Sequence, residues 1–178
     1  MTNHLSRVSG LALAGALAIT ATACTEQERE YAVPDSLCGV PVTKDALAPL
    51  LPSGKELREQ KDPPKATRDG CKLFVDDQLV LFVRIWQVNE YPDPMGPKEH
   101  VPPVNRKEIE GLPSGQRGAL GDERAMISAT CAAPDRNIVL EVSVSESFTK
   151  DVEKRREDIE RFTKSFTNDI KKKLKCTE

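Results

Sequence analysis

The sequence predicts an α+β domain in which an antiparallel sheet of about four strands packs against a long C-terminal amphipathic helix. Two apolar runs, Leu79–Ile85 and Ile138–Val144, have the length and composition of strands, and each follows a cysteine and a turn signal. Near the end of the chain, apolar residues recur at helical spacing between Thr149 and Leu174. A chain of 178 residues has room for one such domain, built from two similar halves.

Residues 1–23 have the three-part order of a secretory signal peptide. Met1–Arg7 is polar with one cation, Arg7, and Val8–Ala23 is a run of 16 uncharged residues that ends in small ones. A membrane-spanning helix needs about 20 apolar residues, whereas this run closes with the weakly apolar Thr20–Ala23. The segment therefore predicts export followed by removal of the signal.

The position of Cys24 directly after the signal raises two alternatives for how the signal is cleaved. Ala21–Ala23 fits the pattern for ordinary release, and it also places small residues directly before Cys24, which resembles a bacterial lipobox. The chain has five cysteines, and acylation of Cys24 leaves four that can pair in an oxidising compartment. We therefore predict a diacylated Cys24 that anchors the protein to the outer face of the bacterial cytoplasmic membrane. Release as a soluble secreted protein is the alternative.

The mature chain is predicted to start with a tether and to fold from Pro34 onwards. Residues 24–33 combine the acylated cysteine with a polar, acid-rich stretch that has nothing to bury, which is typical of a flexible tether. A single extracytoplasmic domain then covers residues 34–178. At its start, Thr43 is placed to cap a helix that runs to about Leu51 and that Pro49 keeps short or irregular.

A weak internal echo predicts that the sheet consists of two similar hairpin units. The string LPSG, a cysteine and an apolar run recur in this order at offsets of 61, 60 and 59 residues. A turn signal precedes each apolar run. The repeated segments are Leu51–Gly54 and Leu112–Gly115, Cys71 and Cys131, and Leu79–Ile85 and Ile138–Val144.

The alternation of side chains assigns the strand residues to faces. One face of the second apolar run carries Ile138, Leu140, Val142 and Val144. The corresponding face of the first run carries Leu79, Leu81, Val83 and Ile85. The opposite face of the first run is also mainly apolar and is interrupted only by Arg84, which predicts a strand covered on both sides. The apolar residues of this opposite face are Val80, Phe82, Trp86 and Val88.

Two further segments frame the second unit. Residues 90–103 contain five of the 13 prolines, which predicts an extended surface loop that is either a passive connector or a docking segment. The C-terminal helix is predicted to pack on the open face of the sheet through Val152, Ile159, Phe162, Phe166, Ile170 and Leu174. The end of this helix carries four lysines, Lys171, Lys172, Lys173 and Lys175. They either complement the helix dipole or contact anionic headgroups or wall polymers.

The four cysteines that remain after acylation allow three pairings, and the sequence favours Cys38 with Cys71 and Cys131 with Cys176. Within the echoed units Cys71 and Cys131 occupy equivalent places, so each is expected to reach a partner outside its own hairpin. Cys38 precedes the first unit and Cys176 ends the helix after the second, which makes the sequential pairing the simplest. The rival pairing joins Cys71 to Cys131 and Cys38 to Cys176.

No set of residues predicts catalysis, a cofactor site or a metal site. After signal removal His100 is the single histidine, and neither a second histidine nor a free thiol is left to complete a site. Asp76 and Asp77 are explained by a hairpin turn without a cation. Basic and acidic residues number 26 and 28, and aromatic residues make up 4%, which argues against a nucleic-acid binder.

We therefore expect a binding or interaction module rather than an enzyme, acting through the sheet edge or the Pro-rich loop. Its unknown partner is an envelope protein or a small ligand. A cell-envelope hydrolase is the alternative from another functional class, and the near-absence of histidine and free thiol argues against it. A small-ligand carrier with an apolar pocket under the helix is a third option.

Several ordered features together resemble the small secreted actinobacterial lipoproteins of unknown function. These are the alanine-rich signal, Cys38-Gly39 near the domain start, Gly121–Ala125 before a strand that ends in cysteine, and a helix that ends at Cys176. The resemblance extends over nearly the whole chain through short motifs. It implies an α+β fold and a membrane-anchored extracytoplasmic place, and it implies no established activity.

Overall fold

A computed structural model describes residues 29–63, 68–96, 104–131, 136–145 and 150–176. It confirms the α+β class, with a large antiparallel sheet and one long C-terminal helix. The predicted strand count is wrong, because the structure has a seven-stranded sheet and a separate two-stranded one. In chain order the elements are β1 (Ser36–Leu37), β2 (Val40–Pro41), α1 (Lys44–Leu47), β3 (Leu57–Lys61), β4 (Arg68–Val75), β5 (Gln78–Val88), β6 (Lys107–Glu108), β7 (Gln116–Leu120), β8 (Arg124–Thr130), β9 (Asn137–Val144) and α2 (Val152–Lys173).

The large sheet consists of two three-stranded meanders that meet at its centre and of the short edge strand β6. Its strand order is β3-β4-β5-β9-β8-β7-β6, and every neighbouring pair is antiparallel. Leu57 and Gln116 open the first strands of the two meanders, and Gln78 and Asn137 open the third strands, each time 59 residues apart. The repeated unit is therefore a meander of three strands, one more than the predicted hairpin.

The register shows that Cys71 and Cys131 do not occupy equivalent places, so this part of the prediction is wrong. Val83 and Val142, 59 residues apart, pair with each other at the centre of the sheet. On the next strand out, Val83 pairs with Cys71 and Val142 pairs with Ala125. Ala125 is thus the counterpart of Cys71, because the loops on either side of β4 and β8 differ in length.

A β-bulge in β5 exchanges the predicted faces of two residues, Leu79 and Val80. The pairing of β4 with β5 shifts register between Leu73 and Phe74, which leaves Val80 as the extra residue. Val80 is consequently buried in the core, whereas Leu79 is 43% exposed. The strict alternation that placed Leu79 with the core residues of β5 does not hold across a bulge.

The turn between β4 and β5 explains Asp76 and Asp77 without a cation. Both residues have positive φ, 47° and 64°, as a tight turn with two left-handed residues requires. The Asp76 carboxylate accepts hydrogen bonds of 3.0 Å from the backbone N–H groups of Lys55 and Glu56. The pair is therefore part of the hairpin, as the turn reading of the sequence predicts.

The ordered domain begins earlier than Pro34. The Arg29 guanidinium donates hydrogen bonds to the carbonyl oxygens of Ala48 and Leu51, and Arg29 also forms a β-bridge with Gly54. The Tyr31 hydroxyl donates to the carbonyl oxygen of Pro52. Residues 29–33, predicted as the end of the tether, thus contact the domain.

The two helices largely follow the sequence prediction. Thr43 is at the N-cap of α1, without a side-chain capping bond, and α1 passes into a single 3₁₀ turn over Ala48–Leu50. The N-cap of α2 is Asp151, whose carboxylate accepts from the N–H of Lys154 at 3.1 Å. The predicted stripe of α2 packs on β8 and β9 and is fully buried at Ile159, Phe162, Phe166 and Ile170.

Candidate binding face

Two disulfide bonds tie the ends of the domain to the large sheet. Cys38, in the β1–β2 turn, is bonded to Cys71 of β4, with the Cα atoms 5.3 Å apart. Cys131, directly after β8, is bonded to Cys176 beyond the end of α2, with the Cα atoms 4.8 Å apart. This is the sequential pairing that the sequence favours. Cys24 lies outside the described residues.

The two faces of the large sheet have different surroundings. The face that meets α2 carries the buried core positions of the central strands, such as Leu73, Val83 and Leu140. On the opposite face of β5, Phe82 and Trp86 are only half-buried, and in the described ranges no helix or strand packs across them. The expectation that β5 is covered on both sides is therefore wrong for this part of the strand.

The outward side of β3–β5 forms a surface that we name the cation–aromatic face. In these strands, alternation along the chain and the register between strands place one set of side chains on this side. The set contains four cations and three aromatic rings, and the carboxylate of Asp62, directly after β3, also lies over this side at Gly70. Its members are Arg58 of β3, Arg68, Lys72 and Phe74 of β4, and Phe82, Arg84 and Trp86 of β5.

Every cation of this face lies over an aromatic ring. The Arg84 guanidinium is 4.2 Å from the centre of the Phe82 ring, and the Lys72 ammonium is 5.2 Å from the same ring. Arg58 lies 4.5 Å over Phe74, and Arg68 lies 5.6 Å over Trp86. Such cation–π contacts contribute about 0.5–1 kcal/mol at exposed sites, so they hold the charged groups in place at the surface.

Three carboxylates within or beside the face partly compensate these cations. Arg58 pairs with Asp77 at 3.3 Å and Lys72 with Asp62 at 3.5 Å. Glu141 of β9 is shared between Arg84 at 3.2 Å and Arg124 of β8 at 3.3 Å. In the described part of the chain, no carboxylate lies within ion-pair distance of Arg68. Five cations against three carboxylates leave a local charge of 5 − 3 = +2, on a chain whose net charge is −2.

The other half of the outward side is covered by the start of the Pro-rich loop. The Tyr91 hydroxyl donates to the carbonyl oxygen of Ser128 at 3.2 Å, and Asp93 pairs with Arg117 at 3.0 Å. Burial raises the pKa of Tyr91, which keeps this hydroxyl protonated as a donor. Ser128 and Val139 are buried beneath this segment. The rest of the loop, including His100, lies outside the described residues.

A cluster of ion pairs fixes the start of α2 to the β7–β8 turn. Arg156 pairs with the carboxylate of Asp122, and Asn105 donates a hydrogen bond to the same group. Hydrogen bonds from Asn105 and Arg156 lower the pKa of Asp122. Two residues after Arg156, the buried Asp158 pairs with Lys154 and Arg161 within α2. No pattern in the sequence predicts this cluster, whose role is structural because cations of the same fold hold each acid.

A small cavity lies beside the N-terminal half of α2. Its volume is about 80 Å³, and its walls include Pro49, Leu51, Val144 and the buried charges of Arg155 and Asp158. Small-molecule sites have volumes of about 300–1,000 Å³. This cavity is therefore too small for the organic ligand of a carrier.

The described residues contain neither a metal-ligand cluster nor a membrane span. Within them, no group of three or more His, Cys, Asp or Glu residues is arranged to hold a metal ion. None of the helices in those same ranges combines the length and the apolar character needed to cross a bilayer.

The chain matches no family model, no curated protein and no solved structure.

Proposed function

We propose that this chain is a membrane-anchored extracytoplasmic lipoprotein that acts as a binding module for an anionic partner through the cation–aromatic face. The observation that carries the binding proposal is the composition of that face. Four cations and three rings share the outward side of β3–β5, and no acidic residue accompanies them on these strands. In the described ranges, no group of three or more His, Cys, Asp or Glu residues is arranged to hold a metal ion there. Binding thus explains the face better than catalysis.

The geometry suits recognition of phosphate or carboxylate groups. The side chains of Arg58, Lys72 and Arg84 are 46%, 32% and 32% exposed, so each reaches solvent while its ring limits its motion. A guanidinium held in place loses less conformational entropy when it binds an oxyanion. The competing pair of Arg58 with Asp77 is at the surface, with the Asp77 side chain 93% exposed, and such pairs contribute about 0–1 kcal/mol. An anionic partner can therefore replace Asp77 at small cost.

The anchoring proposal rests on the sequence around Cys24 and on cysteine parity. An apolar signal ends in small residues directly before Cys24, and the other four cysteines form two disulfide bonds. Disulfide bonds are typical of exported proteins and rare in the cytosol. The same features support membership of the small secreted actinobacterial lipoproteins that the sequence resembles.

We expect Cys24 to carry a diacylglyceryl group in the cell. A lipid-modified N-terminal cysteine keeps the protein in the membrane fraction, because two acyl chains anchor it stably. Intact-mass analysis of detergent-extracted protein should show the modification on Cys24, and a Cys24→Ser variant should appear in the culture medium. An unmodified N-terminus on membrane-extracted protein would contradict the anchoring proposal.

The binding proposal is tested by the fluorescence of Trp86, the chain's single tryptophan. We expect poly(glycerol phosphate), a soluble anionic polymer, to change this fluorescence saturably, whereas neutral dextran should not. An Arg68→Gln/Lys72→Gln variant should bind the polymer at least tenfold more weakly, because two of the four cations on the face are neutralised.

The matched control neutralises two exposed lysines at the end of α2, Lys172→Gln/Lys173→Gln. This variant removes the same amount of charge from the lysine-rich end of α2, the other candidate surface for anions. It should keep the wild-type affinity for poly(glycerol phosphate). Equal affinity in all three proteins, or a loss confined to the helix variant, would refute the proposed face. Circular dichroism of each variant checks that the fold is retained.

A further inference from the structure

We infer that the partner of the cation–aromatic face is an anionic lipid bilayer, so that the domain lies with this face against the membrane that anchors it. The inference rests on the proposed function, since it names the occupant of the same face. Three observations carry it: the chemistry of the face, the place where the chain enters the domain, and the exposed apolar residue at that end.

The chemistry of the face is that of a membrane interface. Arginine and lysine attract anionic headgroups, and tryptophan is enriched where a protein meets the headgroup region. Here Arg68 lies over Trp86, and Lys72 and Arg84 lie over Phe82, so cations and rings are presented together. The surface is a sheet face rather than a pocket, and the cavity beside α2 described above lies elsewhere. A charged sheet face with aromatic rings fits a bilayer better than a small ligand.

The attachment point of the tether lies close to one end of this face. Arg29 forms a β-bridge with Gly54, and a Cβ on Gly54 would lie only 2.9 Å from the Asp76 carboxylate in the β4–β5 turn. Asp77 of the same turn pairs with Arg58, a member of the face. The chain therefore enters the domain beside the end of the face that contains Arg58 and Phe74.

The tether is too short to hold the domain away from the bilayer. Four residues, 25–28, lie between the acylation site Cys24 and Arg29, so five Cα–Cα steps separate the two. Fully extended, a chain covers about 3.3–3.6 Å per residue, so Cys24 lies within about 18 Å of Arg29. The β4–β5 end of the face is consequently held within reach of the headgroups. Earlier ordering at Arg29 rather than Pro34 is what makes this tether short.

An exposed leucine marks the same end. The bulge at Val80 turns Leu79 outward, and Leu79 is 43% exposed next to the β4–β5 turn. On the neighbouring strand it pairs with Phe74, whose ring lies under Arg58. An apolar side chain at the point nearest the lipid anchor can enter the interface between headgroups and acyl chains.

The test uses the chain from residue 24 onwards with Cys24→Ser, which retains every residue that the structure describes and lacks the acyl anchor. Sedimentation with vesicles of phosphatidylcholine containing about one third phosphatidylglycerol is compared with pure phosphatidylcholine vesicles. We expect binding to the anionic vesicles only, weakened by salt, with quenching of Trp86 by brominated lipids. Arg68→Gln/Lys72→Gln should lower the partition constant by about thirtyfold, because each cation near the surface contributes about one factor of five. Lys172→Gln/Lys173→Gln should leave it unchanged.

The outcomes separate this inference from the proposed function. Binding to poly(glycerol phosphate) without binding to anionic vesicles would overturn the membrane inference and leave a soluble or wall-bound anionic polymer as the partner. Binding to neither would overturn both. Vesicle binding that is lost in the helix variant and kept in Arg68→Gln/Lys72→Gln would place the membrane contact at the end of α2 and would also overturn the inference.

Discussion

Replacing Cys38 and Cys71 together by alanine is expected to lower the free energy of unfolding by about 3–4 kcal/mol. The disulfide bond closes a loop with a sequence separation of 33, and its loss releases the unfolded chain from that constraint. Cys71 is fully buried between core residues of β4, so the two alanines also leave unfilled volume beneath the β1–β2 turn.

The corresponding variant of the second bridge, Cys131→Ala/Cys176→Ala, provides the matched comparison. Its loop has a similar separation of 45, so the entropic loss is nearly the same, but the freed element is the end of α2. Chemical denaturation followed by circular dichroism gives both values. A loss below about 1 kcal/mol for either variant would contradict the role assigned to that bridge.

Replacing Phe166 by alanine is expected to destabilise the domain by about 3–5 kcal/mol. Phe166 is fully buried, and its ring stacks on that of Phe162 with the centroids 5.3 Å apart. The substitution removes a large apolar side chain from the interface between α2 and the sheet and leaves a cavity that the rigid sheet cannot close.

Val152→Ala is the control on the same helix, because Val152 is 37% exposed at the start of α2. It should change the free energy of unfolding by less than about 1 kcal/mol, as surface substitutions usually do. Equal effects of the two substitutions would show that α2 is not packed as described. Denaturant titrations of both variants under the same conditions decide this.

The long helix and the strands of the core were predictable because their apolar periodicity is strong. Four positions of the predicted α2 stripe are fully buried, and the core-facing side of β9 follows the predicted alternation. The edge strand β3 was not predictable in the same way. Its sequence, Leu57–Lys61, is almost entirely polar, because an edge strand gains its hydrogen bonds from one neighbour and buries little.

The cation–aromatic face could not be predicted from the apolar pattern of the strands either. Apolar residues on both sides of β5 predict cover on both sides, but the sequence does not reveal whether a neighbouring element supplies that cover. The sequence does not mark Arg58, Arg68 and Lys72 as members of one surface, because only the register between strands places each of them over an aromatic ring. The rings are Phe74, Trp86 and Phe82, respectively. The available signal was the alternation of Arg68, Lys72 and Phe74 within β4, which places two cations and a ring on one face.

The central claim, that the cation–aromatic face is the binding surface, is tested most directly by mapping amide chemical shifts in NMR spectra during titration with short-chain phosphatidylglycerol. We expect the largest changes at Arg68, Lys72 and Phe82 and at the indole N–H of Trp86, with α2 unaffected. The disulfide-bonded chain from residue 24 onwards is the sample, and short-chain phosphatidylcholine is the control ligand. Changes concentrated at the end of α2 or in the cavity beside Arg155, with β4 and β5 unperturbed, would contradict the claim.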